Sequence, residues 1–75
     1  MYYYVAEGRR YAYSELAECV GKAVEHAIIE RSALFDKTTT VKVDVFETWG
    51  PTLQNSAHHY RVEVSPTMRI TVTNY

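Results

Sequence analysis

Tyr60-Arg61-Val62-Glu63-Val64-Ser65-Pro66-Thr67-Met68-Arg69-Ile70-Thr71-Val72-Thr73 is the stretch that decides the fold of this chain. Tyr60, Val62, Val64, Pro66, Met68, Ile70 and Val72 fall on one parity, and mostly polar residues fall on the other. A period of two predicts β-strand with one dry face and one wet face. Fully extended at about 3.3 Å per residue, the stretch would span roughly 46 Å, well beyond a usual strand. Pro66 has no ladder N–H to donate, so a bend or bulge is expected there.

The first half finds its partner upstream. Val41-Lys42-Val43-Asp44-Val45 alternates as well, and Gly50-Pro51 with Asn55-Ser56 marks an intervening loop. Pairing Val45 with Tyr60, Val43 with Val62 and Val41 with Val64 brings the dry faces together. It also sets Asp44 opposite Arg61 and Lys42 opposite Glu63. A slip of two residues in either direction sets Asp44 against Glu63 or Lys42 against Arg61, and like charges directly opposite are destabilising. The charge-matched register leaves a loop from Gly50 to Asn55. Met68 to Val72 then need a neighbour, either the N-terminal segment or another molecule.

Residues 2–13 are expected to form a hairpin, with a single bent strand interrupted at Gly8 as the alternative. Gly8-Arg9 suits a type II′ turn, which takes Gly first, and would set Glu7 opposite Arg10. Tyr2, Tyr4, Tyr11 and Tyr13 then share one face. Ser14 is the expected N-cap of a helix over residues 15–33, with Glu15 and Glu18 in the first turn, where the helix dipole favours anions. Leu16, Val20, Ala23, Val24, Ala27, Ile28 and Arg31 recur at helical spacing, opposite Glu18, Lys22, Glu25, His26 and Glu30. Gly21 inside a helix costs roughly 1 kcal/mol against Ala. Beside Ala17 it suggests a close approach by a neighbouring element. The fold class is therefore α+β: an antiparallel sheet of four or five strands with one helix across one face, in the order ββαββ, or βαββ if the first segment is one strand.

Seventy-five residues make a single small domain. A chain of this size buries only about 60% of its unfolded surface, which leaves stability marginal. The one cysteine, Cys19, forms no internal disulfide and fits a reducing compartment, and the N-terminus lacks the pattern of a signal peptide. A cytoplasmic location is expected, with no membrane span. A net charge of -1 lacks the basic excess usual in a dedicated nucleic-acid binder. Arg61, Arg69 and Lys42 do share the wet face with Phe46, in the manner of sheets that stack single-stranded bases. Asp44 and Glu63 interleave with them, so ordinary cross-strand salt pairing is the preferred reading.

Catalytic constellations are thin. His58 and His59, adjacent on a strand, point to opposite faces and do not chelate one metal. His58 falls opposite Glu47 in the register above, which reads as a polar pair closing the hairpin mouth. Cys19 reads as a small buried filler. No phosphate loop, zinc spacing or nucleophile elbow occurs, and neither a cofactor nor enzymatic activity is expected.

Glu47-Thr48-Trp49-Gly50, followed ten residues on by Tyr60-Arg61-Val62, is similar to the dodecins, small flavin-binding proteins that assemble as dodecamers. The resemblance implies a strand, a helix and two long strands, with homo-oligomeric flavin binding as the function. It spans residues 47–62. The dodecin Gly-Thr-Ser is replaced by Gly8-Arg9-Arg10, the flavin-stacking Trp falls near Lys42, and the flavin-contacting Gln falls at Arg61.

The composition points instead to binding another protein. Five of the seven tyrosines lie before residue 14. Tyr is enriched at interfaces and is also a good strand former. Tyr2, Tyr4, Tyr11 and Tyr13, with Arg9 and Arg10 at the hairpin tip, Trp49 beside the loop, and Arg69, are the expected partner-binding residues. In size and organisation the chain resembles small phage-encoded inhibitors such as anti-CRISPR proteins, which implies binding and occluding a larger protein or complex. A homo-oligomer through the C-terminal strand is a second expectation.

Overall fold

The computed structural model describes residues 1–49 and 56–74. The order is β1 (Tyr2–Ala6), β2 (Arg9–Tyr13), α1 (Leu16–Ala33), β3 (Val41–Thr48), β4 (Ser56–Val64) and β5 (Ile70–Asn74). The strands form one antiparallel sheet in the order β2-β1-β3-β4-β5, with the helix packed on one face. This is the ββαββ order with a fifth strand added, so the single bent N-terminal strand and the strand–helix–two-strand plan implied by the dodecin resemblance do not describe the chain. The loop expected over Gly50 to Asn55 lies outside the described residues.

The central hairpin follows the charge-matched register. Val41 pairs with Val64, Lys42 with Glu63, Val43 with Val62, Asp44 with Arg61 and Val45 with Tyr60. Beyond Val45 the ladder shifts by one, and Phe46 faces His58. His59 is the extra residue of this bulge. Its ring lies against Tyr2 and Tyr60, on the face that Tyr60 shares with the core. The expected His58–Glu47 pairing is thereby replaced: Glu47 faces Ala57, and His58 moves beside Asp44.

The long alternating stretch is two strands. Ser65 accepts the Met68 N–H through its carbonyl (2.9 Å), and the Ser65 N–H donates to Arg69 O (3.0 Å). Pro66 sits at the second position of this turn, where its fixed φ is already suitable, and Met68 takes a left-handed φ of 62°. The chain folds back so that Val62 faces Val72 and Val64 faces Ile70. Met68 to Val72 therefore do not extend to the N-terminal hairpin or need another molecule to form a strand. Their neighbour is their own first half.

The N-terminal turn also differs from expectation. Ala6 pairs with Arg9 and Val5 with Arg10, so the two loop residues are Glu7 (φ 55°) and Gly8 (φ 74°). Positive φ at both positions is the type I′ turn, whose twist matches the strands. Glu7 is thus in the loop, and the expected Glu7–Arg10 pair does not form. Tyr4 now faces Tyr11, and Tyr2 faces Tyr13.

The helix approaches the sheet through small side chains. Cys19, Ala23 and Ala27 are completely buried against Val43, Val45, Val62 and Val64. Arg31 continues the same i,i+4 row and is also buried. It donates from Nη2 to the Asp36 carbonyl (2.7 Å), while Nε and Nη1 meet no hydrogen-bond partner among the described residues. Asp36 then receives the Thr38 and Thr39 N–H groups and fixes the passage to β3. At the other end Glu15, not Ser14, is the N-cap, and its side chain makes no capping bond. Gly21 marks no close approach: a methyl group there would meet nothing within 4 Å.

Candidate functional site

Only one face of the sheet carries the helix, and the helix stops short of covering the last strand. Every residue of β5 is exposed. Ile70 and Val72 lie on the parity of Val62 and Val64, so they belong to the helix side, yet they are 46% and 45% exposed. Met68, in the turn that leads into them, is 45% exposed. The neighbouring helix flank is apolar too. Lys22, His26 and Ile29 line the β2 side of the helix. Val20, Val24 and Ile28, half-buried against the core, therefore form the flank toward β4 and β5. The result is an apolar shelf bounded on its outer side by a sheet edge.

The two edges of the sheet are built differently. β2 begins with Arg9 and Arg10, both exposed, and charged residues are the usual guard against strand addition. β5 contains Ile70, Thr71, Val72, Thr73 and Asn74, with no charge and no proline. Arg69, just before it, donates its backbone N–H to Ser65 Oγ (3.0 Å) and anchors the turn.

A second feature is the cleft between β2 and α1, about 230 Å³ in volume. Tyr4 stacks on Tyr11 and Tyr13 with centroids 5.2 and 6.2 Å apart, and His26 stands edge-on to Tyr4 and Tyr11. The Tyr4 hydroxyl lies 2.6 Å from His26 Nδ1. Burial, followed by the bond to Tyr13, pushes the Tyr4 hydroxyl well above the usual tyrosine range, so it stays protonated. Lys22 and Glu25, an ion pair at 3.4 Å, form the rim. Burial also pushes the Cys19 thiol up to about 11, which leaves it a poor nucleophile.

On the uncovered sheet face, Arg10 lies over the Tyr3 ring at 5.8 Å, Tyr3 stacks on Phe46 at 5.3 Å, and Phe46 meets His58 at 5.2 Å. Tyr3 is only 7% exposed, so its ring offers little area to a stacked base. Asp44 accepts from Arg61 Nε (2.7 Å) and lies 3.0 Å from His58 Nε2. The Arg61 bond is the main cause holding the Asp44 carboxyl below its ordinary range. Lys42 stands opposite Glu63, so the cations of this face alternate with carboxylates.

The residues expected to bind a partner do not converge. Tyr4 is 1% exposed and belongs to the core, while Tyr11 and Tyr13 are half-buried beside it. Tyr2 is half-buried near His59, and its bond to Glu47 raises its hydroxyl pKa. Arg9 and Arg10 head the β2 edge, Arg69 precedes the opposite edge, and Trp49, 64% exposed, follows the far end of β3. Sequence reasoning left Ile70 and Val72 out of the binding set. Their place in an over-long alternating run was the signal that they lacked cover.

No protein-family model, curated protein or solved structure matches this chain. Among the described residues, no helix is long and apolar enough to cross a membrane.

Proposed function

We propose that this chain is a non-enzymatic protein-interaction module, an inhibitor or adaptor, that acts by taking an extended polypeptide onto its β5 edge. One observation carries the reading: Ile70–Asn74 is an uncharged edge strand whose apolar side chains lie exposed next to the helix. Strand addition satisfies the outward backbone groups of the edge, and alternate side chains of the incoming strand cover Ile70 and Val72. The open face supports nucleic-acid binding less well, because its cations face carboxylates and Tyr3 is packed away.

Affinity capture and sedimentation velocity on wild type and Val72→Lys test the proposal. The expected result is that whatever associates with the wild-type chain, foreign or identical, is lost in the variant while the circular dichroism spectrum is unchanged. Association that survives Val72→Lys, or no association in either measurement, overturns it.

A further inference from the structure

We infer that the strand taken up by β5 is β5 of a second copy, paired antiparallel about a two-fold axis at Thr71. The inference rests on the strand-addition reading and names the occupant.

The edge is complementary to itself. In an antiparallel pair centred on Thr71, Ile70 faces Val72 of the second copy, Val72 faces its Ile70, and Thr71 faces Thr71. Both apolar contacts fall on the helix side, and the Thr pair falls on the open face, where Thr–Thr pairing is favourable. Arg69 would face Thr73, so no like charges meet. The alternatives are poorer. Centring on Val72 sets Ile70 against Asn74, and centring on Ile70 needs Met68 in strand geometry, which its φ of 62° forbids. The β2 edge is guarded instead by Arg9 and Arg10, whose exposed charges disfavour strand addition.

Pairing also completes the shelf. Ile70 and Val72 from both copies would form one apolar strip between two helices, each of which presents Val20, Val24 and Ile28 along its flank. The sheets would join into a continuous ten-stranded sheet with both helices on one side. The pairing adds only a five-residue strand from each copy, so a weak dimer, of about micromolar strength, is expected.

The register is tested by disulfide trapping and the assembly by sedimentation velocity between about 1 and 500 μM, a range that brackets a micromolar equilibrium. Directly opposite residues have Cα atoms about 4.5–5.5 Å apart, within the span a disulfide bridges. Thr71→Cys should therefore yield a covalent dimer on mild oxidation. Thr73→Cys should not, because the two Thr73 positions would be about 14 Å apart along the strands. Wild type is the control, its Cys19 being fully buried. Val72→Lys should raise the dimer dissociation constant at least about tenfold. A chain that stays monomeric throughout, or cross-linking of Thr73→Cys in place of Thr71→Cys, overturns the inference. If the chain is monomeric but a foreign polypeptide binds and is lost with Val72→Lys, self-pairing falls while strand addition stands. If nothing binds at β5, both fall.

Discussion

The Tyr4 hydroxyl and Nδ1 of His26, 2.6 Å apart, join the first strand to the middle of the helix. Among the described residues, Tyr4 is the one tyrosine in the set of largest fully buried side chains, and its ring is bounded by Tyr11, Tyr13 and His26. The helix is therefore fixed over β1 by a directional bond as well as by packing. Tyr4→Phe keeps the ring and removes the bond, and should cost about 1 kcal/mol in urea denaturation. Tyr4→Ala empties the core beneath the helix and should cost about 3–5 kcal/mol, a large part of a small domain's stability. Equal stability of Tyr4→Phe and wild type would show that the bond contributes nothing net.

Gly21 is the cheapest place to strengthen the molecule. It lies in the helix interior with nothing within 4 Å of an added methyl group. Gly21→Ala should stabilise by about 0.4–1 kcal/mol, chiefly by restricting the unfolded chain. In a domain of this size that is a rise of roughly 2–8 °C in Tm. An unchanged or lowered Tm would mean that the glycine serves a contact outside the isolated chain.

The β1–β2 turn carries a residue poorly suited to it. Glu7 holds a φ of 55° and Gly8 a φ of 74°. Glycine adopts such values freely, whereas a glutamate does so at a cost of roughly 1–2 kcal/mol. Asn-Gly is the preferred pair for a type I′ turn. Glu7→Asn should raise stability by about 0.5–1 kcal/mol, and Gly8→Ala should lower it by a similar amount. Thermal melts of the two variants moving in the same direction would contradict the turn assignment.

How far the fold could be read from the chain depended on whether a residue's neighbours were set by pattern or by turn geometry. The Val41–Val45 and Tyr60–Val64 register was legible because two charge pairs and three apolar pairs agree on it. The return of the chain at Pro66 was not, because the turn Ser65-Pro66-Thr67-Met68 preserves parity: Ile70 and Val72 emerge on the same face as Val62 and Val64. An alternation that runs unbroken through a reversal looks like one strand, although Ser-Pro is itself a turn signal. The same limit hid the His59 bulge and the one-residue difference at Glu7-Gly8. For the candidate site, the tyrosines drew attention by composition, whereas the exposure of Ile70 and Val72 follows from where the helix ends laterally on the sheet, which no local pattern states.

Asp44 links the central hairpin to acid stability. Its carboxylate accepts from Arg61 and faces His58 on the uncovered side of the sheet. The Arg61 bond, with the nearby charges of His58 and Arg61, outweighs partial burial and lowers its pKa below the ordinary value. A folded pKa below the unfolded one means that folding favours the ionised form. The stabilisation is fully present above the unfolded pKa of about 4 and is lost as pH falls through the lower folded value. The pair is about one-third exposed, so solvent screening limits its worth to about 1 kcal/mol or less. Asp44→Asn should accordingly be less stable than wild type at pH 7, with the gap closing below about pH 4. Asp36 titrates in the same direction through its bonds to Thr38 and Thr39, so wild-type stability alone does not isolate Asp44. The difference between wild type and Asp44→Asn, measured by urea denaturation from pH 7 to pH 3, does isolate it. A gap that stays constant across that range would assign the cost of the substitution to packing and remove the ion pair from the account.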